Sequence, residues 1–142
     1  MSAVKNGNRD VFTKLLDYPQ DISIVCKKHM NVLHYIACYQ DDTWWYDELK
    51  NKRIHTTTNM KELLNARAKN GRTTLHYAAL SHLLISWLLE NGADMDIKDE
   101  NRVLPCQLGD TNTQKIFQEL RYVRTTYFFP TCFLFLLFLA IM

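Results

Sequence analysis

Asn31-Val32-Leu33-His34-Tyr35-Ile36-Ala37 and Thr73-Thr74-Leu75-His76-Tyr77-Ala78-Ala79 are two versions of one phrase. Leu, His, Tyr and Ala recur at the same offsets. A polar turn precedes each copy, Lys27-Lys28-His29 in one and Lys69-Asn70-Gly71 in the other. A third, degenerate copy is Leu104-Pro105-Cys106-Gln107-Leu108-Gly109, preceded by Asp99-Glu100-Asn101. A partial copy stands first in the sequence, where Ala3-Val4-Lys5-Asn6-Gly7-Asn8 runs into Val11-Phe12-Thr13-Lys14-Leu15-Leu16. The same ending returns as Ile85-Ser86-Trp87-Leu88-Leu89-Glu90-Asn91-Gly92-Ala93-Asp94. Self-similarity of this kind points to stacked like units.

The step between copies is uneven. Val4 and Ala37 lie 33 positions apart, Leu33 and Leu75 lie 42 apart, and Leu75 and Cys106 lie 31 apart. The longer middle step implies an insertion. A unit this short cannot bury its own apolar face, so neighbours must share one core. That core should hold Leu33, Ala37, Leu75, Ala78, Ala79, Leu88 and Leu89. Small Ala side chains let first helices approach closely. Val11, Leu15 and Leu16 share a helical face, and Ile85, Leu88 and Leu89 repeat the pattern. Gly92 suits a helix stop that needs positive φ. Thr113-Gln114-Lys115-Ile116-Phe117-Gln118-Glu119-Leu120 reads as a final helix capped by Thr111 or Thr113.

The phrase resembles the ankyrin repeat, with its period of about 33 residues, its Thr-Pro-Leu-His-x-Ala signature, and a β-turn with two helices per unit. Asn91-Gly92-Ala93-Asp94 followed by Asp96-Ile97-Lys98-Asp99 adds a second matching stretch. The resemblance covers roughly residues 2–122. It implies an all-α ankyrin-repeat solenoid of about four helix-turn-helix units with inter-repeat β-turns, plus a C-terminal hydrophobic segment. The expected domain is 1–124, with repeats near 2–28, 29–69, 70–99 and 100–124 and an insertion near 41–58. Three departures stand out. Val32 and Thr74 occupy positions where the family usually has Pro. Cys106 and Gln107 replace the Leu-His of the last unit. Arg102 stands where Gly71 sits one unit earlier, so the last turn should be strained or reshaped. That last unit reads as a cap or a decaying repeat.

The same resemblance implies a non-enzymatic protein–protein interaction module, an adaptor, scaffold or inhibitor, with its partner on the concave surface. Family members act as transcription-factor inhibitors, membrane-skeleton adaptors, pathogen effectors and arms of larger toxins or channels. Fold-level likeness selects none of these. Turn tips should line up along one edge carrying Lys27, Lys28, His29, Lys69, Asn70, Arg72, Glu100 and Arg102. Such an edge is either simply solvated or a shallow groove for an acidic partner segment. The family's binding surface adds the open side of the first helices, here Met30, Tyr35 and Tyr77.

The insertion carries Asp41-Asp42-Thr43-Trp44-Trp45-Tyr46-Asp47-Glu48-Leu49. Asp42 or Thr43 should cap a helix near 43–51, with Lys50, Lys52 and Arg53 matching its dipole. Ile54-His55-Thr56-Thr57-Thr58-Asn59 reads as a loop. Successive helical residues point about 100° apart, so Trp44, Trp45 and Tyr46 cannot all face one core. At least one is expected to be partly exposed, and exposed Trp and Tyr are favoured hot-spot residues. The other reading has them wall off the core. The candidate partner-binding set is therefore Lys28, Met30, Tyr35, Trp44, Trp45, Tyr46, Lys69, Asn70, Arg72, Tyr77 and Arg102.

Other chemistries find little support. The chain of 142 residues is 47% apolar and 23% charged, values of an ordinary globular domain, so a disordered acidic or basic tail protein is disfavoured. A net charge of +2 gives no reason to expect nucleic-acid binding. His34 and Cys38 lie one helical turn apart. A zinc site needs about four ligands, and no second Cys/His cluster is present. Cys–His catalysis lacks a third orienting group. No enzyme activity, cofactor or metal is expected. The imidazoles instead read as buried, hydrogen-bonded ties within their loops.

The four cysteines form no Cys-x-x-Cys pair, and the first ten residues hold no apolar run, so a reduced cytoplasmic monomer is expected. The tail breaks the pattern. Five of the seven Phe lie after residue 127, and no charge occurs between Thr125 and Met142. As a helix, that run would span about 27 Å, just short of a bilayer's hydrocarbon core. Arg121 and Arg124 precede it, as suits a cytosolic flank. Residues 125–142 are thus a candidate membrane anchor, with a docked helix or a sequence accident as the competing readings. A membrane-tethered adaptor, or a piece of a larger ankyrin-rich effector, toxin or channel, is the alternative to a free binding module.

Overall fold

The computed structural model describes residues 1–18, 24–51, 60–81 and 84–125. Its helices are α1 (Ser2–Lys5), α2 (Arg9–Leu16), α3 (Val32–Tyr39), α4 (Trp44–Asn51), α5 (Met60–Asn65), α6 (Thr74–Ser81), α7 (Ile85–Glu90) and α8 (Pro105–Leu108). Residues 111–125 are also helical and are called α9. Among the described residues there is no strand. Most of these helices are too short to stand alone in water, so packing must hold them.

Local caps fix where the helices start. The Asn8 side chain accepts from Val11 N–H, Asn31 from His34 N–H, and Asp42 from Trp44 N–H. At α9 the cap is Asp110, whose carboxylate accepts from Thr113 N–H at 2.8 Å. The two threonines expected there do not serve as the cap. Asp is the better one, because its charge also meets the helix dipole.

The inner row is α1, α3, α6 and α8, each packed on the next. Leu33, Ala37, Leu75, Ala78, Ala79, Leu88 and Leu89 are all buried, as the repeat pattern requires. The face assigned to α2 is corrected. Phe12 is its buried residue, while Val11 and Leu15 are exposed. Phe12 meets the aromatic rings of α4 instead.

Three turns repeat one hydrogen-bond pattern. His29, Gly71 and Arg102 each donate N–H to the carbonyl three residues back, on Cys26, Ala68 and Asp99. Each of those three donates in turn to the carbonyl of Met30, Arg72 or Val103. The pivotal residues have φ of +57°, +75° and +62°. Arg102 therefore keeps the left-handed conformation that Gly71 adopts freely, and the last turn is strained without being reshaped. Neighbouring turns are also joined. Lys69 N–H donates to the Lys28 carbonyl at 2.9 Å, and Glu100 N–H donates to that of Asn70 at 3.2 Å.

The described part of the insertion belongs to the outer layer. Helix α4 packs on α2 and α3, and Tyr46 stacks on Trp87 of α7 with ring centres 4.7 Å apart. Residues 52–59 lie outside the described set, and so do residues 126–142 with the candidate anchor. Among the described residues no helix is long and apolar enough to cross a membrane. At the end of the stack, Gln114, Gln118 and Arg121 of α9 line a groove of about 340 Å³ with Cys106, Gln107 and Phe117.

Candidate partner-binding face

Equivalent residues of the inner helices stay open. On α3 these are Tyr35, Cys38 and Tyr39, and on α6 they are Tyr77, Leu80 and Ser81. Lys5 of α1 occupies the same register as Cys38 and Leu80. Tyr35 and Tyr39 stack with centres 6.0 Å apart, and the Lys5 ammonium lies 5.9 Å from the Tyr39 ring. The sequence reading missed Tyr39, Leu80 and Lys5. Counting three and four positions on from Tyr35 and Tyr77 would have found the first two.

The turn edge and this helical face meet at Tyr77. Its hydroxyl donates to the Asn70 side chain at 3.3 Å. Around that contact runs a groove of about 400 Å³ lined by Lys28, Lys69, Asn70, Tyr77 and Glu100. Lys28, Lys69, Asn70 and Tyr77 of the expected set are thus gathered here, and Tyr35 lies on the open side of α3. Arg102 is exposed on the third turn.

Three members of the set are corrected. Met30, Trp45 and Tyr46 are buried and present no surface. Trp45 packs edge-on against Phe12 at 5.0 Å, and the Tyr46 hydroxyl donates to the Leu33 carbonyl at 3.3 Å. Trp44 is half-buried beneath the Arg9 guanidinium, which also pairs with Asp42. Arg72 is drawn into the turn. Its Nε donates to the buried Asp99 carboxylate at 3.3 Å. Hydrogen bonds from Val103 N–H, Asn101 N–H and Arg72 hold the Asp99 carboxyl below its ordinary value, against the effect of burial.

The histidines are structural. His34 Nδ1 accepts from Asn31 N–H at 3.2 Å, and its Nε2–H donates to the Ala66 carbonyl at 3.1 Å. His76 repeats the pattern with Thr73 and Val103. Burial depresses both imidazoles, His34 to about 4. With both ring nitrogens engaged, neither is presented to a metal or substrate. Gln107 plays a reduced version of this part, its Oε1 accepting from Leu104 N–H at 2.8 Å.

The thiols differ. Burial pushes Cys38 up to about 11. Burial also raises Cys26, but hydrogen bonds from Lys28 N–H, Met30 N–H and the Tyr35 hydroxyl outweigh it and hold that thiol below its ordinary value.

A search of curated proteins finds no match. A sequence model of ankyrin repeats, in three copies, matches residues 1–99, and the chain belongs to the ankyrin-repeat family.

Proposed function

We propose that the chain is a non-enzymatic adaptor, scaffold or inhibitor that, as a monomer, binds a partner protein through its turn tips and the open side of its inner helices. The joined turns carry this reading. Lys69 N–H on the Lys28 carbonyl and Glu100 N–H on that of Asn70 make three tips one continuous edge beside α3 and α6. Lys27, Lys28, Lys69 and Arg102 stand on it against Glu100, a balance that favours an acidic partner segment.

Photo-crosslinking tests it. A benzophenone amino acid replaces Tyr77 in one full-length protein and the exposed Glu90 of α7 in another. Crosslinks from position 77 and none from position 90 are expected. Equal crosslinking from both, or none from either, would end the proposal.

The uncharged run 125–142 supports a second reading, the same module tethered to a membrane. Membrane fractionation with and without that run tests it. Full-length protein found wholly in the aqueous fraction would sink this version.

A further inference from the structure

Resting on the partner-binding reading above, we infer that the occupant of this face is an acidic amphipathic helix. Its carboxylates meet the turn edge and its apolar row lies on Tyr39 and Leu80.

Three observations carry the inference. The edge is cationic, and Lys28 and Lys69 make no ion pair with a described residue. Both residues are exposed and line the 400 Å³ groove, where they outnumber its one carboxylate, Glu100. The floor is apolar where it opens, since Tyr39 is 49% and Leu80 47% exposed. Wall and floor also share a corner, because Tyr77 of the floor donates to Asn70 of the wall.

A ligand filling that corner must show unlike rows to two adjoining surfaces. A strand is a poor fit. Alternate side chains point to opposite faces, so one row meets the protein and the other meets water. A helix carries neighbouring rows about 100° apart, one of Leu and one of Glu. Helix-in-groove binding of this type is read from anchors at i, i+3, i+4 and i+7. Lys5, over the Tyr39 ring, adds a cation at the α1 end of the floor and favours further acidic residues there.

Three fluorescein-labelled peptides of about 18 residues, long enough for some five turns, test the inference against the full-length chain. The first has a Leu row beside a Glu row. The second replaces Glu by Lys. The third keeps Glu and replaces Leu by Ser. Fluorescence anisotropy should give the first a Kd in the micromolar range and the other two values at least about tenfold weaker. The paired variant Tyr39→Ser with Leu80→Ser should weaken the first peptide about tenfold and leave the third unchanged. Lys28→Glu with Lys69→Glu should weaken both. All four positions are exposed or half-exposed, and circular dichroism checks that each variant folds.

Equal binding of the first and third peptides would overturn the apolar row, and equal binding of the first and second would overturn the acidic one. If no peptide binds while position 77 crosslinks a partner, the helix inference falls and the binding reading stands. If crosslinking also fails, both fall.

Discussion

The Nε2–H of His76 donates to the carbonyl of Val103 at 3.1 Å, across 27 positions of sequence. His34 does the same to Ala66 across 32 positions. Each imidazole therefore ties the start of its helix to backbone further along the stack. Burial disfavours the charged ring and keeps both imidazoles neutral, and in that form Nδ1 accepts from the N–H of Thr73 or Asn31.

Acid should therefore loosen the stack. The folded His34 value of about 4 lies below the ordinary 6.5, so between those limits the unfolded chain binds more protons. Stability is full above the unfolded value and is lost as pH falls through this window. The total is about 3 kcal/mol, and about 2 kcal/mol is gone by pH 5. His76 is shifted the same way and adds to the slope. Urea unfolding at a series of pH values measures it. His34→Gln keeps an acceptor, as Gln107 does in α8, and cannot titrate. It should cost about 1 kcal/mol at neutral pH and flatten the acid slope. An unchanged slope in that variant would remove His34 from the account.

The turns predict opposite effects at two equivalent positions. Arg102 sits at φ +62°, where a side chain is strained. Arg102→Gly relieves about 1–2 kcal/mol and gives back part of it as unfolded-state freedom, a net gain of up to about 1 kcal/mol. Gly71 at φ +75° has no such room. A Cβ there would lie 2.7 Å from the Glu100 backbone nitrogen. Gly71→Ala should cost about 2–3 kcal/mol. Thermal melts of the two variants should move in opposite directions.

What was legible in the sequence is what local spacing controls. The Leu-His phrase marks helix starts because its hydrogen bonds close within three residues, as between Thr73 and His76. Gly92 announces its stop by composition alone, and its φ is +99°. The 100° rule correctly leaves one member of the aromatic cluster, Trp44, partly exposed, but it cannot say which two residues are buried or against what. Helix α4 has α2 on one side and Trp87 of α7 on another, so Trp45 and Tyr46 point to different neighbours and are both buried. The fate of Arg72 was hidden for a similar reason. Its partner Asp99 lies 27 positions away and becomes adjacent only when turns stack.

The two α3-side thiols should react in a fixed order. Cys26 is held below its ordinary value by donated hydrogen bonds, and burial pushes Cys38 up to about 11. At about pH 8, iodoacetamide should modify Cys26 at least about tenfold faster, since the thiolate is the nucleophile. Peptide mass mapping of timed samples reads the order. Raising the pH should narrow the gap as Cys38 begins to ionise. Faster labelling of Cys38 would contradict the hydrogen-bond account.

Trp45 and Trp44 should separate by the size of their effect on stability. Trp45 is 1% exposed and wedged between Phe12 and Trp44, with ring centres 5.0 and 5.2 Å away. Trp45→Ala leaves a large cavity between α2 and α4 and should cost about 3–5 kcal/mol. Trp44 is half-buried, with Arg9 over its ring and Trp45 edge-on beside it, so Trp44→Ala loses a cation–π contact and partial burial, about 1–2 kcal/mol. Urea midpoints distinguish the two, provided the slopes of the transitions agree. If both substitutions left the midpoint unchanged while weakening partner capture, the pair would be surface anchors after all. The buried seat of Trp45 argues for the opposite outcome, because an aromatic ring enclosed by two helices is lost to packing before it is lost to binding.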